Sequence, residues 1–210
     1  MPEKWQSMAF AVLYGNYMKN FLSLLIVFVG LAPLARATAP SLEVLHEMNL
    51  ARTNPRAYAQ CIAETHVADA RSTAEAVSFL KKASSLPPLS FVEGLALSAE
   101  MHVAEQGERG TIGHGNPWGR MAKCGRYIGR AGENISYGHA DARAIVAQLI
   151  IDAGVPGRGH RKNIFNAAFN VAGAAVGRHA RYGAMCVIDF AGGFETNGIA
   201  SASAVRIHGS

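Results

Sequence analysis

The sequence has few charged residues and no long run of charge. Of its 210 residues, 17% are Asp, Glu, Lys or Arg, and the formal net charge is +5. No cluster of five or more basic residues occurs, so the basic stripe typical of nucleic-acid-binding proteins is missing and nucleic acid is not an expected partner. The 22 glycines and 8 prolines follow no repeat, which excludes collagen-like and low-complexity proteins.

Several common catalytic and cofactor motifs are also missing. A zinc-protease helix of the HExxH type that began at His46-Glu47 would need a histidine at position 50, where the sequence has Leu50. A dinucleotide-binding GxGxxG would need a glycine in place of Trp118. The sequence has no GxSxG nucleophile elbow, no phosphate-binding P-loop and no CxxC pair. These absences exclude the serine hydrolases, nucleotide-binding enzymes and cysteine–zinc sites that depend on those motifs.

One hydrophobic run stands near the start of the chain. Residues 21–34 contain no charge, follow a lysine and precede a small-x-small sequence. This pattern predicts that residues 1–37 are a secretory signal peptide, with Met18 as an alternative start. An uncleaved anchor is the alternative, although the run is shorter than the ~20 residues that span a bilayer. We therefore expect residues 38–210 to form one extracellular or periplasmic domain without a transmembrane span.

Three cysteines remain in that predicted domain: Cys61, Cys124 and Cys186. In an oxidising compartment two of them should form a disulfide and one should be left over. The Cys124–Cys186 pairing is favoured because each of these two residues lies beside a predicted strand. The alternative is three unpaired thiols.

The rest of the chain predicts alternating helices and strands. Capping residues predict helices that begin at Ser41, at Asn54-Pro55, at the capping boxes Ser72–Glu75 and Ser90–Glu93, and at Asp141. A glycine-rich loop is predicted over 107–129, and strands are predicted over Gly132–Tyr137, Val171–Val176 and Ala184–Phe190. The last two strands are apolar on both faces, which predicts a sheet covered on both sides.

Three polar residues with glycine neighbours are the candidates for chemistry. They are His114 in GHG, Glu133 in GEN and His160 in RGHRKN. Glycine lets the backbone turn sharply and lets another group approach closely. Two imidazoles and a carboxylate can bind a divalent metal or transfer a proton. The alternative for each residue alone is an ordinary hydrogen-bonded side chain.

The ordered series GHG, GENISYG, GHRKNIFN and the strand pair VAGAAVG and CVIDFAGGF resembles the CAP superfamily in its bacterial form. That superfamily includes cysteine-rich secretory proteins, antigen 5 and plant pathogenesis-related proteins of class one. The resemblance covers about residues 41–194. It implies an α+β fold, a three-layer α-β-α sandwich around a mainly antiparallel sheet. It also implies a central cleft lined by two histidines and two acidic residues.

The resemblance assigns cleft positions to His114, Glu133 and His160. The family usually has a second acid in the helix before the second histidine, where this sequence has Ala153. Asp152 lies one position earlier, about 100° around a helix, so the sequence alone does not decide whether its side chain reaches the cleft. His139 is an alternative source of the missing ligand.

Function divides into three hypotheses. In the first, a secreted protein binds a small ligand, a lipid or a divalent metal such as Zn²⁺ in the cleft, with His114 and His160 as metal ligands. In the second, a metal-assisted hydrolase or peptidase uses Glu133 as general base and Asp152 as a further acid. In the third, a protein-interaction or adhesion module meets a secreted or envelope protein and the cleft is vestigial.

Overall fold

The structure is a computed structural model that describes residues 39–197. The predicted signal peptide lies outside the described residues. Within them, seven helices are α1 (Ala39–Thr53), α2 (Pro55–Ala63), α3 (Ala70–Lys82), α4 (Glu93–Arg109), α5 (Pro117–Cys124), α6 (Ala142–Ile151) and α7 (Gly159–Ile164). Four strands are β1 (Ser90–Phe91), β2 (Gly125–Tyr137), β3 (Val171–His179) and β4 (Gly183–Thr196).

The four strands form one mixed sheet in the order β1-β3-β4-β2. The two-residue β1 pairs in parallel with β3, whereas β4 pairs antiparallel with both β3 and β2. A bulge interrupts the β2–β4 ladder between Ile128 and Ala131. The long β2 is therefore an edge strand, and it carries the GEN sequence.

Helices cover both faces of this sheet. Alternate β4 residues such as Cys186 and Ile188 pack with α1, α2, α3 and α6, whereas Met185 and Val187 face the other way and pack with α4. Leu95 of α4 and Met121 of α5 pack on Ala191 of that second face. Because successive strand residues point to opposite faces, the clusters on the two faces of the sheet make a three-layer α-β-α sandwich. The predicted α+β fold is confirmed.

A close approach between α4 and β3 depends on one glycine. A Cβ atom built on Gly173 would lie 2.1 Å from the backbone nitrogen of Ala96. That distance leaves no room for any side chain, so Gly173 lets the helix backbone rest directly on the strand.

A buried arginine joins the helices to the loops around them. The guanidinium of Arg52 donates hydrogen bonds to the carbonyl oxygens of Pro87, Ile164, Asn166 and Phe169. Arg52 is 1% exposed. Its side chain thus satisfies carbonyl groups at the end of α7 and in the neighbouring loops, where the Asn166 carbonyl also accepts a hydrogen bond from the Phe169 N–H.

Several helix predictions hold and others are wrong. Asn54 caps α2 and Asp141 caps α6 through their side chains, as predicted. The helix predicted at Ser72 begins earlier, because Asp69 accepts the hydrogen bond from the Ser72 backbone N–H. Ser90 caps no helix: it pairs with β3 as a strand residue. The predicted loop over 107–129 contains α5 and the first part of β2.

The expected disulfide is not formed, since Cys61, Cys124 and Cys186 are all free thiols. Cys186 belongs to the core cluster that faces α1 and α6, whereas Cys124 ends α5 and its Sγ lies 3.9 Å from Met101 Sδ on α4. The sheet lies between these two sites, which is why nearness to predicted strands did not predict a bond. Across residues 39–197, every helix is too short or too polar to cross a membrane.

Candidate functional site

His114 lies in the loop between α4 and α5, and neighbouring backbone groups fix that loop. Gly113 adopts a φ of 106° and its carbonyl bonds to His102 Nε2 and Gln106 Nε2 of α4, at 2.9 and 2.7 Å. The Gly113 N–H donates to the Tyr137 hydroxyl at 3.0 Å. A left-handed glycine and three hydrogen bonds therefore place the His114 ring at the end of β2.

Glu133 of β2 is buried and holds the His114 ring. His114 Nδ1 lies 2.7 Å from Glu133 Oε1, and the Arg120 guanidinium of α5 bonds to Oε2. Arg120 also donates to the His114 carbonyl at 3.0 Å. Because an ionised carboxylate only accepts, Nδ1 is the donor and Nε2 faces away from the pair. The His114 side chain is 52% exposed, so Nε2 is open to ligands.

Asp189 lies opposite Glu133 in the β2–β4 ladder and was missed by the sequence analysis. It is fully buried, and within 39–197 no hydrogen bond of ordinary geometry reaches its carboxylate oxygens, although the buried Ser98 hydroxyl and the Glu133 carboxyl lie close enough to influence its pKa. Burial, followed by the nearby charge of Glu133, raises the pKa of Asp189 well above its ordinary value. The sequence carries no signal for this residue, because a strand aspartate is ordinarily solvent-exposed.

Asp152 and His160 form a second pair of the same kind. His160 Nδ1 lies 2.7 Å from Asp152 Oδ1, and the His160 backbone N–H donates to Oδ2 at 2.9 Å. Asp152 caps α6 in the left-handed conformation, with a φ of 55°. That turn lets a residue at the end of a helix direct its side chain to the start of α7. Asp152 therefore reaches His160 from the end of α6, and its angle around the helix does not decide the contact.

Two asparagines join the pairs across the edge of the sheet. Asn134 Nδ2 donates to the His160 carbonyl at 3.0 Å, and Asn163 Nδ2 donates to Asn134 Oδ1 at 2.9 Å. Asn163 also contacts the Glu133 carbonyl at 3.3 Å. Both asparagines were missed, although they stand in the GEN and GHRKN sequences that supplied Glu133 and His160.

A cavity of about 330 Å³ opens beside the His160–Asp152 pair. Its apolar lining comes from Val67, Ala68, Ile135, Leu149, Ala153 and Val155. Its polar lining comes from Tyr137, Gln148, Asp152 and His160. The volume lies at the lower end of small-molecule sites, and the mixture of an apolar wall with a few polar groups is typical of them.

A larger open groove of about 560 Å³ lies elsewhere, between α1 and the start of α6. Of its three acidic residues, Glu43, Glu47 and Asp141, Glu47 accepts hydrogen bonds from Tyr58 and Arg143, and Asp141 caps α6. None of the candidate site residues lines that groove, whereas His160 and Asp152 line the smaller cavity.

The carboxylate oxygens of Glu133 and Asp152 already accept hydrogen bonds, which leaves few free oxygen atoms to bind a metal ion. Both Glu133 oxygens are engaged by His114 and Arg120, and both Asp152 oxygens by His160. Across residues 39–197, no three His, Cys, Asp or Glu side chains are placed to hold a metal. Since zinc sites usually have three or four protein ligands, these residues do not fit such a site. Binding by His114 and His160 alone stays a prediction.

Other candidates occupy ordinary positions. His102 is buried and bonds to the Gly113 carbonyl, and burial lowers its pKa. Arg158 and Arg161 near His160 both pair with Glu75, so they are structural ion pairs. His139 makes no hydrogen bond or ion pair to the site in the part of the chain described.

Comparison with known proteins identifies the family. A sequence model of the cysteine-rich secretory protein family, CAP, matches residues 45–190, which is more than half of the chain. No curated protein matches the sequence.

Among solved structures, the chain is similar to an outer surface protein from Borrelia burgdorferi, at 19% identity and a TM-score of 0.43 over 50% of this chain and 78% of that one. It is similar to a cysteine-rich secretory protein from Staphylococcus aureus, at 14% identity and a TM-score of 0.47 over 76% of this chain and 40% of that one.

An extracellular SCP-domain protein from Bacillus anthracis is 25% identical, with a TM-score of 0.38 over 50% of this chain and 34% of that one. The match spans less than half the length of the staphylococcal and bacillus proteins. On the match to the family model, the chain belongs to the CAP, or cysteine-rich secretory protein, family.

Proposed function

We propose that this protein binds a small, partly apolar molecule in the 330 Å³ cavity, outside the cytoplasm. The observation that carries the proposal is the cavity itself, whose apolar wall of valine, alanine, isoleucine and leucine side chains meets a polar end formed by His160 and Asp152. The secretory character of the family and the apolar run over 21–34 support the location. A chain recovered from the medium would then begin at Thr38.

His160 sets the chemistry of the polar end. Its Nδ1 donates to Asp152, so Nε2 of the neutral ring accepts a hydrogen bond. Its side chain is 23% exposed and lines the cavity. A ligand that offers a hydroxyl or amine to Nε2 and an apolar body to Ile135 and Leu149 satisfies both halves of the lining.

The test uses p-cresol and toluene as matched probes, because they differ only in a hydroxyl group. Each is titrated into the full chain while the methyl NMR signals of Ile135, Leu149 and Val155 are followed. We expect both probes to shift these signals and p-cresol to bind about 3–10-fold more tightly, the usual value of one hydrogen bond.

Three variants test where the probes bind and which group holds the hydroxyl. Ala68→Trp fills the cavity and should abolish the shifts, whereas Ala70→Trp on the exposed start of α3 should not. His160→Asn keeps a donor toward Asp152 and removes Nε2, so it should reduce the affinity for p-cresol to that for toluene. Equal shifts in wild type and Ala68→Trp would contradict the proposal.

A hydrolase is the second candidate, favoured by the Asp152–His160 contact. A carboxylate that orients Nδ1 leaves Nε2 to take a proton from an attacking water, as in general-base catalysis. Hydrolysis of p-nitrophenyl butyrate by the wild type, reduced at least about a hundredfold in His160→Asn, would support this second candidate. Equal rates in the two proteins would contradict it.

A further inference from the structure

Two sulfur atoms from different helices meet at the surface of the protein. Cys124 ends α5, Met101 lies in the middle of α4, and Cys124 Sγ is 3.9 Å from Met101 Sδ. We name these two atoms the sulfur pair. Met101 is 37% exposed and Cys124 is partly buried, so the pair borders solvent. A thiol and a thioether cannot join as a disulfide, and between themselves they form only a weak S–H···S hydrogen bond.

Both helices are held by backbone contacts, so the fold sets the distance between the two sulfur atoms. On α5, the Cys124 carbonyl accepts a hydrogen bond from the Asn197 N–H at 3.0 Å, and the Asn197 side chain donates to the Lys123 carbonyl at 3.0 Å. On α4, Gly107 lies so close to β3 that a Cβ atom there would stand 2.4 Å from the Arg178 carbonyl oxygen. Donors that are held in place beforehand lose little freedom when they bind a ligand.

The separation of the two atoms suits a metal ion bound between them. With bonds of about 2.3 Å, the length of a zinc–thiolate bond, a spacing of 3.9 Å gives a sulfur–metal–sulfur angle of about 116°. That angle lies between those of tetrahedral and trigonal coordination, so solvent can supply the remaining ligands. Thiolate and thioether sulfur are soft ligands, and such ligands select Cu(I) rather than Mg²⁺, Ca²⁺ or Mn²⁺.

The electrostatics of the pair favour an ion of single charge. Burial contributes most to a raised pKa of the Cys124 thiol, Asp189 and Glu100 act in the same direction, and Lys123 opposes them. The thiol therefore carries its proton when no metal is bound. A Cu⁺ ion that bonds to the sulfur displaces that proton to water, and the net charge of the site is the same before and after. A divalent ion would add one positive charge at a partly buried position, which costs free energy.

We propose that the sulfur pair binds Cu(I), as a soft-metal site separate from the pairs of His114 and His160. Both donors are sulfur, and their spacing suits a single ion. The site needs no imidazole or carboxylate, so the hydrogen bonds that engage Glu133 and Asp152 do not oppose it. The alternative is a plain packing contact, which a leucine side chain would make as well as Met101 does.

The test follows the methyl group of Met101 in the full chain, prepared with methyl-labelled methionine. Cu(I) is supplied without oxygen as its bicinchoninate complex, a coloured chelate that fades as the protein takes the ion. We expect the colour to fade and the Met101 methyl signal to shift, while the signals of Met48 and Met185 in the core stay in place and report an intact fold. Excess Zn²⁺ should leave the Met101 signal unmoved, because zinc binds thiolate, imidazole and carboxylate rather than thioether.

Four single variants locate the ion. Cys124→Ser and Met101→Leu each remove one sulfur ligand and should weaken Cu(I) binding at least about tenfold, since even an outer-shell partner is worth about 10–100-fold in metal affinity. Cys61→Ser and Met48→Leu remove a thiol and a thioether that lie in the core cluster on the other face of the sheet. These two controls should bind Cu(I) as tightly as the wild type.

Three results would overturn the proposal. One is an unchanged Met101 signal, whether the chelate keeps its colour or fades. Another is wild-type affinity in Met101→Leu, which would reduce the sulfur pair to a packing contact. The third is loss of Cu(I) uptake in the His114→Ala/His160→Ala variant, which would place the ion at the histidines.

Discussion

Asp189 and Glu133 lie directly opposite each other on neighbouring strands, and the buried Asp189 carboxyl stands beside the pair formed by Glu133 and His114. Two carboxyl groups at this spacing in a buried site do not both ionise readily. Glu133 has His114 and Arg120 as partners, whereas Asp189 lies in the described chain only beside the Ser98 hydroxyl and the Glu133 carboxyl, without a hydrogen bond of ordinary geometry. Asp189 is therefore the member that holds a proton.

This relationship predicts a fall in stability as the pH rises. Because folding raises the pKa of Asp189, its favourable contribution is complete below the unfolded pKa of about 4 and is lost as the pH rises through the folded value. Asp189→Asn should lack this fall, and each unit of raised pKa corresponds to about 1.4 kcal/mol. Urea unfolding at a series of pH values measures the difference.

A control of opposite sign is available in Asp69, whose pKa is lowered by the Ser72 backbone N–H. Its contribution is lost as the pH falls, so Asp69→Asn should differ from the wild type in its pH dependence only on the acid side. Parallel curves for wild type and Asp189→Asn across the whole range would contradict a protonated Asp189.

Removal of the Arg52 guanidinium should lower the free energy of unfolding substantially. Arg52→Leu removes a donor from four carbonyl groups, of which that of Asn166 keeps its bond from the Phe169 N–H, and each buried group left unpaired costs about 1–3 kcal/mol. We expect a free energy of unfolding at least about 3 kcal/mol lower by urea denaturation, and a smaller loss in Arg52→Lys, which keeps the charge. The exposed Arg56→Leu should change it by less than about 0.5 kcal/mol. Equal effects at positions 52 and 56 would show that the carbonyl contacts are dispensable.

Zinc binding provides a test of the two histidines. Since the oxygens of Glu133 and Asp152 are already engaged in hydrogen bonds, calorimetric titration of Zn²⁺ into the full chain should give weak heats. The His114→Ala/His160→Ala double variant should behave in the same way. Micromolar or tighter binding that the double variant loses would establish a shared metal site and revive the metal-assisted hydrolase hypothesis.

The free thiols predict the result of alkylation without reductant. Unfolded in denaturant, the chain should react with iodoacetamide at Cys61, Cys124 and Cys186 alike. In the native protein Cys186 should be protected, because it is wholly buried and burial raises the pKa of its thiol. Mass spectrometry counts the labelled sites, and a single labelled cysteine in the unfolded chain would indicate a disulfide.

Local signals predicted part of this fold correctly. Asn54 before Pro55 and Asp141 before an apolar run are caps whose hydrogen bonds involve residues only three positions away. Ser90 carried a capping-box pattern of equal quality, yet β3 pairs with it, and a long-range strand pairing overrides a local preference. The same limit applies to the Cys124–Cys186 prediction, which depended on which face of the sheet each thiol meets.

By itself, the sequence determined the family, the three candidate residues His114, Glu133 and His160, and the helix ends set by local caps, because each is encoded within a few neighbouring residues. Only the tertiary structure decided what these residues touch. It turned Asp152 toward His160 through a left-handed helix end, placed Asp189 opposite Glu133 through strand register, and brought the Trp118 ring of α5 beside the Tyr127 ring of β2. Such contacts depend on register, burial and the meeting of distant elements, which no local pattern specifies.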